Sequence, residues 1–287
     1  MMNIYTGCLF FMKFTKMHGI GNDYIFVNAF EEHIEDPSAL AIAISDRHFG
    51  VGGDGLVMIC PSDTADFRMR MFNADGSEGD MCAKASRGVA KYGDDRGRTQ
   101  KTTVTLETPS GVKVLMMHVK AGVVESVRVD MGEPKLACED VPCTLGTGVV
   151  KMAPITALDR TFYITPVCTG NPHGVIVLEE PVETFDLYRY GPVLEKHPVF
   201  PKKANIEFVI VLAPDRIRMR VWERGSGVTL ACGTGACAAL VACHANGLCA
   251  RRATVVLDGG ELVDIWDKES GHVFMTGPAA FVFDGTY

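Results

Sequence analysis

The sequence predicts an α/β (α+β) protein of two homologous, pseudo-symmetric domains. Each is a β-rich barrel or roll around a central helix, with the functional site in the cleft between them. Two observations carry this. Arg68-Met69-Arg70-Met71-Phe72 returns as Arg218-Met219-Arg220-Val221-Trp222, 150 positions later. Each copy then reaches a cysteine ten residues on, Cys82 and Cys232, at the same offset. A third match, Gly21-Asn22 against Gly170-Asn171, keeps the order, and both pairs lead into apolar strands (Ile25-Phe26-Val27 and Val175-Ile176-Val177). Ordered matches at one spacing point to a duplicated unit.

The elements follow from their patterns. Residues 12–27 read as a strand, a Gly-rich turn and a second strand, which leaves 1–11 as an extension and makes Met12 a candidate start. In the two Arg-Met repeats polar and apolar residues alternate, the period of a half-buried strand. Cys82 and Cys232 each open a helix. The one after Cys232 is built of small residues on every face, which suits a central position ringed by strands, and Gly247 falls where a C′ glycine ends it. The helix after Cys82 is expected to end at Gly93. Segments 103–107, 112–119, 123–130, 161–167, 206–212, 254–257, 261–266 and 272–275 read as strands.

Composition narrows the function. With 287 residues, 47% hydrophobic and 22% charged, the chain can bury a large core without staples. A formal charge of −7 with scattered Lys and Arg does not favour a nucleic acid or an anionic membrane as partner. No apolar run is long enough for a membrane span. The ten cysteines show no C-x-x-C spacing and no Cys/His cluster, so no metal is expected, and the start lacks the pattern of a signal peptide. The expectation is a cytoplasmic protein in which most cysteines, Cys237, Cys243 and Cys249 among them, pack as small apolar groups. No phosphate loop or dinucleotide fingerprint occurs.

Cys82 and Cys232 depart from that reading because the repeat pairs them. Unpaired N–H groups at a helix start lower a thiol pKa and bind carboxylates. Two such starts facing each other would flank one bound carboxylate with two thiols. One thiolate could remove the proton on the adjacent carbon, and the opposite thiol could return one on the other face, inverting the centre. Two such thiols could also close into an inactivating disulfide.

These residues resemble the diaminopimelate epimerase family from Met12 onward. The likeness lies in Lys16-Met17-His18-Gly19-Ile20-Gly21-Asn22-Asp23-Tyr24, Arg47-His48-Phe49-Gly50-Val51-Gly52-Gly53-Asp54-Gly55, Phe72-Asn73-Ala74-Asp75-Gly76-Ser77-Glu78, Gly170-Asn171-Pro172-His173, Ala204-Asn205-Ile206-Glu207-Phe208, and Glu223-Arg224-Gly225 leading to Ala231-Cys232-Gly233-Thr234-Gly235. The resemblance implies a cofactor-independent isomerase, without pyridoxal phosphate, that interconverts LL- and meso-diaminopimelate toward lysine and peptidoglycan. It implies Cys82 and Cys232 as catalytic thiols. Asn22, Asn73, Asn171, Asn205, Glu223 and Arg224 would contact substrate, while Ala83, Lys84, Gly233 and Thr234 stand at the helix-start cradle. His173 and Glu223 would tune the thiols. Arg224 suits a distal carboxylate and Glu223 an ammonium. The implied domains are 1–129 with 277–287, and 130–276. The expected partner is a small-molecule substrate, in a possible homodimer.

One stretch departs from the family. Its first cysteine is normally followed by Gly-Asn, and here by Ala83-Lys84. In one reading their backbone N–H groups keep the cradle. In the other, the glycine was needed for a positive φ or for close approach, and Lys84 weakens or blocks the site. The alternatives are therefore a related amino-acid isomerase of the same fold, or a binding homologue with reduced or no activity.

Overall fold

A computed structural model of the protein describes residues 11–79 and 83–287. Its chain passes twice through one plan. The first pass runs β1 (Lys13–Gly19), β2 (Asn22–Asn28), α1 (Pro37–Ser45), β3 (Gly55–Cys60), β4 (Phe67–Asn73), β5 (Glu78–Gly79), α2 (Ala83–Asp95), β6 (Thr103–Thr108), β7 (Gly111–Lys120) and β8 (Val123–Asp130). After β9 (Ala153–Ala157) the second runs β10 (Arg160–Cys168), β11 (Pro172–Val177), α3 (Leu187–Glu195), β12 (Asn205–Ala213), β13 (Arg216–Glu223), β14 (Gly227–Thr229), α4 (Gly233–Ala245), β15 (Arg252–Leu257), β16 (Gly260–Trp266) and β17 (Val273–Gly277). A last strand, β18 (Ala280–Thr286), follows.

The pairing repeats with the order. β1–β2 is antiparallel, β2–β3 parallel, β3–β4 antiparallel and β4–β6 parallel, and β10 to β15 reproduce this step for step. Even the register recurs: Leu56 faces Phe72, and Ile206 faces Trp222. Each parallel step needs a crossover: α1 and α3 lie in the first crossover of each pass, α2 and α4 in the second. Asp36 and Asp186 cap those helices by accepting from Ala39 N–H and Arg189 N–H. Outside the two passes, β18 pairs with β1, β9 with β10, and β8 joins β17 across the halves.

The alternating strands bury the side expected. On β13, Ile217, Met219 and Val221 turn inward while the arginines stay partly exposed. The first hairpin turns through Ile20 and Gly21, both at positive φ. α4 is built mainly of small and apolar residues and is buried from Gly235 to Cys243, as its composition suggests. α2 has the same length and is buried as thoroughly, although it carries Lys84, Arg87 and Lys91. Lys91 is satisfied by the Val124 carbonyl at 2.7 Å and by Asp95 one turn on. Gly93 does not end α2, contrary to the sequence expectation. It lies within the helix with the Phe67 ring so close that a Cβ would come within 2.8 Å, and the chain turns at Gly97 instead. Gly247, at φ 75°, does follow the cap of α4.

Cys237, Cys243 and Cys249 are buried, consistent with packing, and the eight described cysteines are free thiols. Cys8 lies outside the described residues. Among the described residues no helix is long and apolar enough to cross a membrane.

Candidate active site between two helix starts

Cys232 ends the loop after β14 in extended conformation (φ −134°, ψ 110°) and caps α4. Its Sγ accepts from the Gly235 N–H at 3.4 Å and lies 3.5 Å from Thr234 Oγ1. The helix-start argument predicts a lowered thiol pKa, and here the structure differs. Cys232 is only 3% exposed. Burial pushes the thiol well up, the Glu223 carboxylate pushes it further, and the Lys84 ammonium opposes them. Removing a thiolate from water outweighs the dipole. In the free protein this sulfur is therefore a thiol. Cys82 lies outside the described residues, and α2 begins directly after it at Ala83.

The two helix starts meet. A Cβ built on Gly233 would lie 3.5 Å from the Ala83 methyl carbon, and one on Gly235 would lie 2.7 Å from Glu207 Oε1. Ala83 and Gly233 thus lie side by side, with Lys84 and Thr234 next to them in the chain. Ala83 is helical and is not among the positive-φ residues, so the concern that only glycine could hold its φ falls away. The Lys84 side chain turns inward, 8% exposed, and donates to the Ala231 carbonyl at 2.6 Å. Its Nζ stands 3.9 Å from Glu223 Oε1, which also accepts from Thr229 Oγ1.

Behind Cys232 lies a buried polar row. His173 is fully buried between Glu207 Oε1, 2.7 Å from Nδ1, and Asn171 Oδ1, 2.8 Å from Nε2. The ring donates from Nε2 to the asparagine. Nδ1 faces the Glu207 carboxylate across the second bond. Burial raises the Glu207 carboxyl even against its histidine. His173 therefore partners Glu207, whereas Glu223 is held by Thr229 and faces Lys84 and Cys232.

The remaining asparagines hold neighbouring groups. Asn22 Nδ2 donates to Asp54, whose carboxyl is pushed up by burial and by Asp23. Asn73 donates to Ser77 Oγ at 2.9 Å, beside the Ala74 N–H bond to Asp54. Asn205, nearly buried, accepts the Arg224 backbone N–H at 2.7 Å. The Arg224 guanidinium sits at the exposed rim and donates to the Lys202 carbonyl at 3.1 Å.

The sequence reading did not single out Glu207 or Asp54. A signal existed for the first: Glu207 interrupts the apolar run of β12, where a buried carboxylate needs a partner. Asp54 sits in a glycine-rich loop and gave no such sign. The assembled groups can hold a carboxylate on N–H groups from two helices, place an ammonium at Glu223, and present a thiol to the carbon between.

Residues 14–137 and 165–282 match the family described as diaminopimelate epimerase. The chain is 53% identical over 274 residues to the diaminopimelate epimerase of Acetivibrio thermocellus, covering 96% of this chain and 98% of that one. To that of Methanococcus maripaludis it is 52% identical, covering 96% and 99%. Among solved structures it is similar in fold to a hydroxyproline epimerase from Agrobacterium vitis (TM-score 0.70, 15% identity, 96% and 91% covered). It is likewise similar to a phenazine biosynthesis protein from Bacillus anthracis (TM-score 0.67, 17% identity, 96% and 99% covered).

Proposed function

The chain belongs to the diaminopimelate epimerase family, an isomerase family, and on that premise we propose that it interconverts LL- and meso-2,6-diaminopimelate by moving the α-proton between Cys82 and Cys232. The observation that carries this reading is the meeting of the α2 and α4 starts, with Cys232 as cap of the second. The substrate α-carboxylate lies between them, on the N–H groups of Ala83, Lys84, Gly233 and Thr234. These N–H groups stabilise the negative charge that develops as the Cα–H bond breaks. The proton leaves to one sulfur while the other sulfur gives its own proton to the opposite face, so protons and charge balance and the centre inverts. Cys232, held as a thiol by burial, is the donor in one direction and leaves Cys82 as the base. Glu223 receives the ammonium. Asn22, Asn73, Asn171 and Asn205 read the two amino-acid ends, and Arg224 takes the distal carboxylate. His173 positions the site through Glu207 and Asn171. The reaction needs no cofactor in this scheme.

We further infer a cytoplasmic location, in keeping with the free thiols, a homodimer as one possible assembly, and domains 1–129 plus 277–287 and 130–276. The reaction is tested by incubating the reduced protein with each isomer in deuterated water and following the α-proton by NMR. Exchange is expected into both isomers. Cys82→Ser and Cys232→Ser each block proton abstraction from one isomer preferentially. No exchange in the unsubstituted protein at any pH would end the proposal.

A further inference from the structure

We propose that Lys84 is a positioning residue whose ammonium, carried on the helix of one half, supplies the positive charge that the opposite thiol, Cys232, needs to ionise. This deepens the proposed function and rests on its assignment of Cys232, not on measured turnover. The geometry is specific. Nζ is fixed 2.6 Å from the carbonyl of Ala231, the residue before Cys232, and is almost fully buried. A buried ammonium is costly unless it is paired, and its ionic partner here is Glu223 at 3.9 Å.

The groups facing Cys232 can be named element by element. Glu223 faces it from β13, Glu207 from β12 and Lys84 from α2, while its own helix adds Cys237. Deeper in the core, Asp264 of β16 and Arg87 of α2 face Cys237 rather than the reactive sulfur. Glu207 is balanced by His173, to which it is bonded. Glu223 has only Lys84 as ionic partner, at 3.9 Å; its charge and the burial of Cys232 both hold the proton on sulfur, and Lys84 is the cation set against them. The side chain that departs from the family pattern therefore acts across the cleft, on the cysteine of the other half. The same contact ties Glu223 to the entry of α4 and so fixes the ammonium site.

The test is the rate of alkylation of Cys232 by iodoacetamide, read by peptide mass spectrometry from pH 6 to 10. In this range the rate follows the small thiolate fraction. Lys84→Met should slow it about tenfold at each pH, the effect of roughly one unit in thiol pKa. Lys84→Arg should stay within about threefold of the unsubstituted protein, because it keeps the charge. Glu223→Gln should speed the reaction, and this arm stands even if Lys84→Met does not fold. Equal rates for Lys84→Met and the unsubstituted protein would overturn the proposal, as would Lys84→Arg falling as far as Lys84→Met. A slower or unchanged rate in Glu223→Gln would also overturn it. Deuterium exchange measured beside it separates the claims. Alkylation shifts without any turnover leave the Lys84 inference standing and remove the epimerase reading, whereas turnover with unshifted alkylation does the reverse.

Discussion

At Gly235 the site leaves no room for a methyl group, since a Cβ there would lie 2.7 Å from Glu207 Oε1 and 3.2 Å from Cys232 Sγ. Both neighbours are buried side chains with nowhere to go. Gly235→Ala should therefore lower proton exchange about 10²-fold, the cost of displacing a reacting group by about 1 Å, while thermal melting shows a folded protein. Glu207→Gln tests the row behind the thiol. It removes the carboxylate that bonds to His173 and should lower kcat at least about tenfold, with KM little changed; steady-state kinetics with LL-diaminopimelate checks this. Much of the site was legible at this scale. The cysteines stood out because a repeat paired them, and the asparagines through motifs. Glu207 was hidden because a strand reading weighs the run Ile206 to Val211 as apolar and gives no weight to one acid within it. The level of the Cys232 thiol was hidden too. A helix start is visible in sequence, but burial, which overrides it, is a property of everything packed around it.

Helices α2 and α4 have equal length and equal burial, but they reach the core by different routes. α4 brings apolar and small groups except for His244 in its last turn, so Leu240→Ala should cost about 2–5 kcal/mol, read by urea unfolding. Near it, Asp264 of β16 is fully buried, and neither carboxylate oxygen has a hydrogen-bond partner among the described residues. Burial raises its pKa well above the ordinary value, and Arg87 pulls against that rise. The folded state therefore holds a proton that the unfolded chain releases near pH 4. This stabilisation is complete below the unfolded pKa and is lost as pH rises through the folded one. Melting temperatures of Asp264→Asn should fall less between pH 5 and pH 8 than those of the unsubstituted protein. The long strands were readable from period, and both central helices from the small residues that follow each cysteine. α1 and α3 were not. Each has nine residues, and α3 carries Gly191 and Pro192, which read as breakers. Gly191 is there because a Cβ would meet the Trp222 ring at 2.6 Å.

The duplication was the most legible feature of the whole molecule, since ordered matches survive in sequence even where the intervening residues have changed. The joins between the halves were not legible, because strand partners far apart in the chain leave no local mark. β8 pairs with β17, and β18 returns to β1 with rungs from Lys13–Thr286 to His18–Ala280. Deleting residues 279–287 should therefore strip an edge from the first half and lower its melting temperature sharply, and circular dichroism against temperature would show it. The return of β18 also orders events in time. The first half is synthesised early but lacks one of its strands until the entire second half has been made. Its β1 edge stays open during translation, a ready template for pairing with other nascent chains. The second half has every strand of its pass in one continuous stretch, so it can finish folding while its elder twin is still waiting.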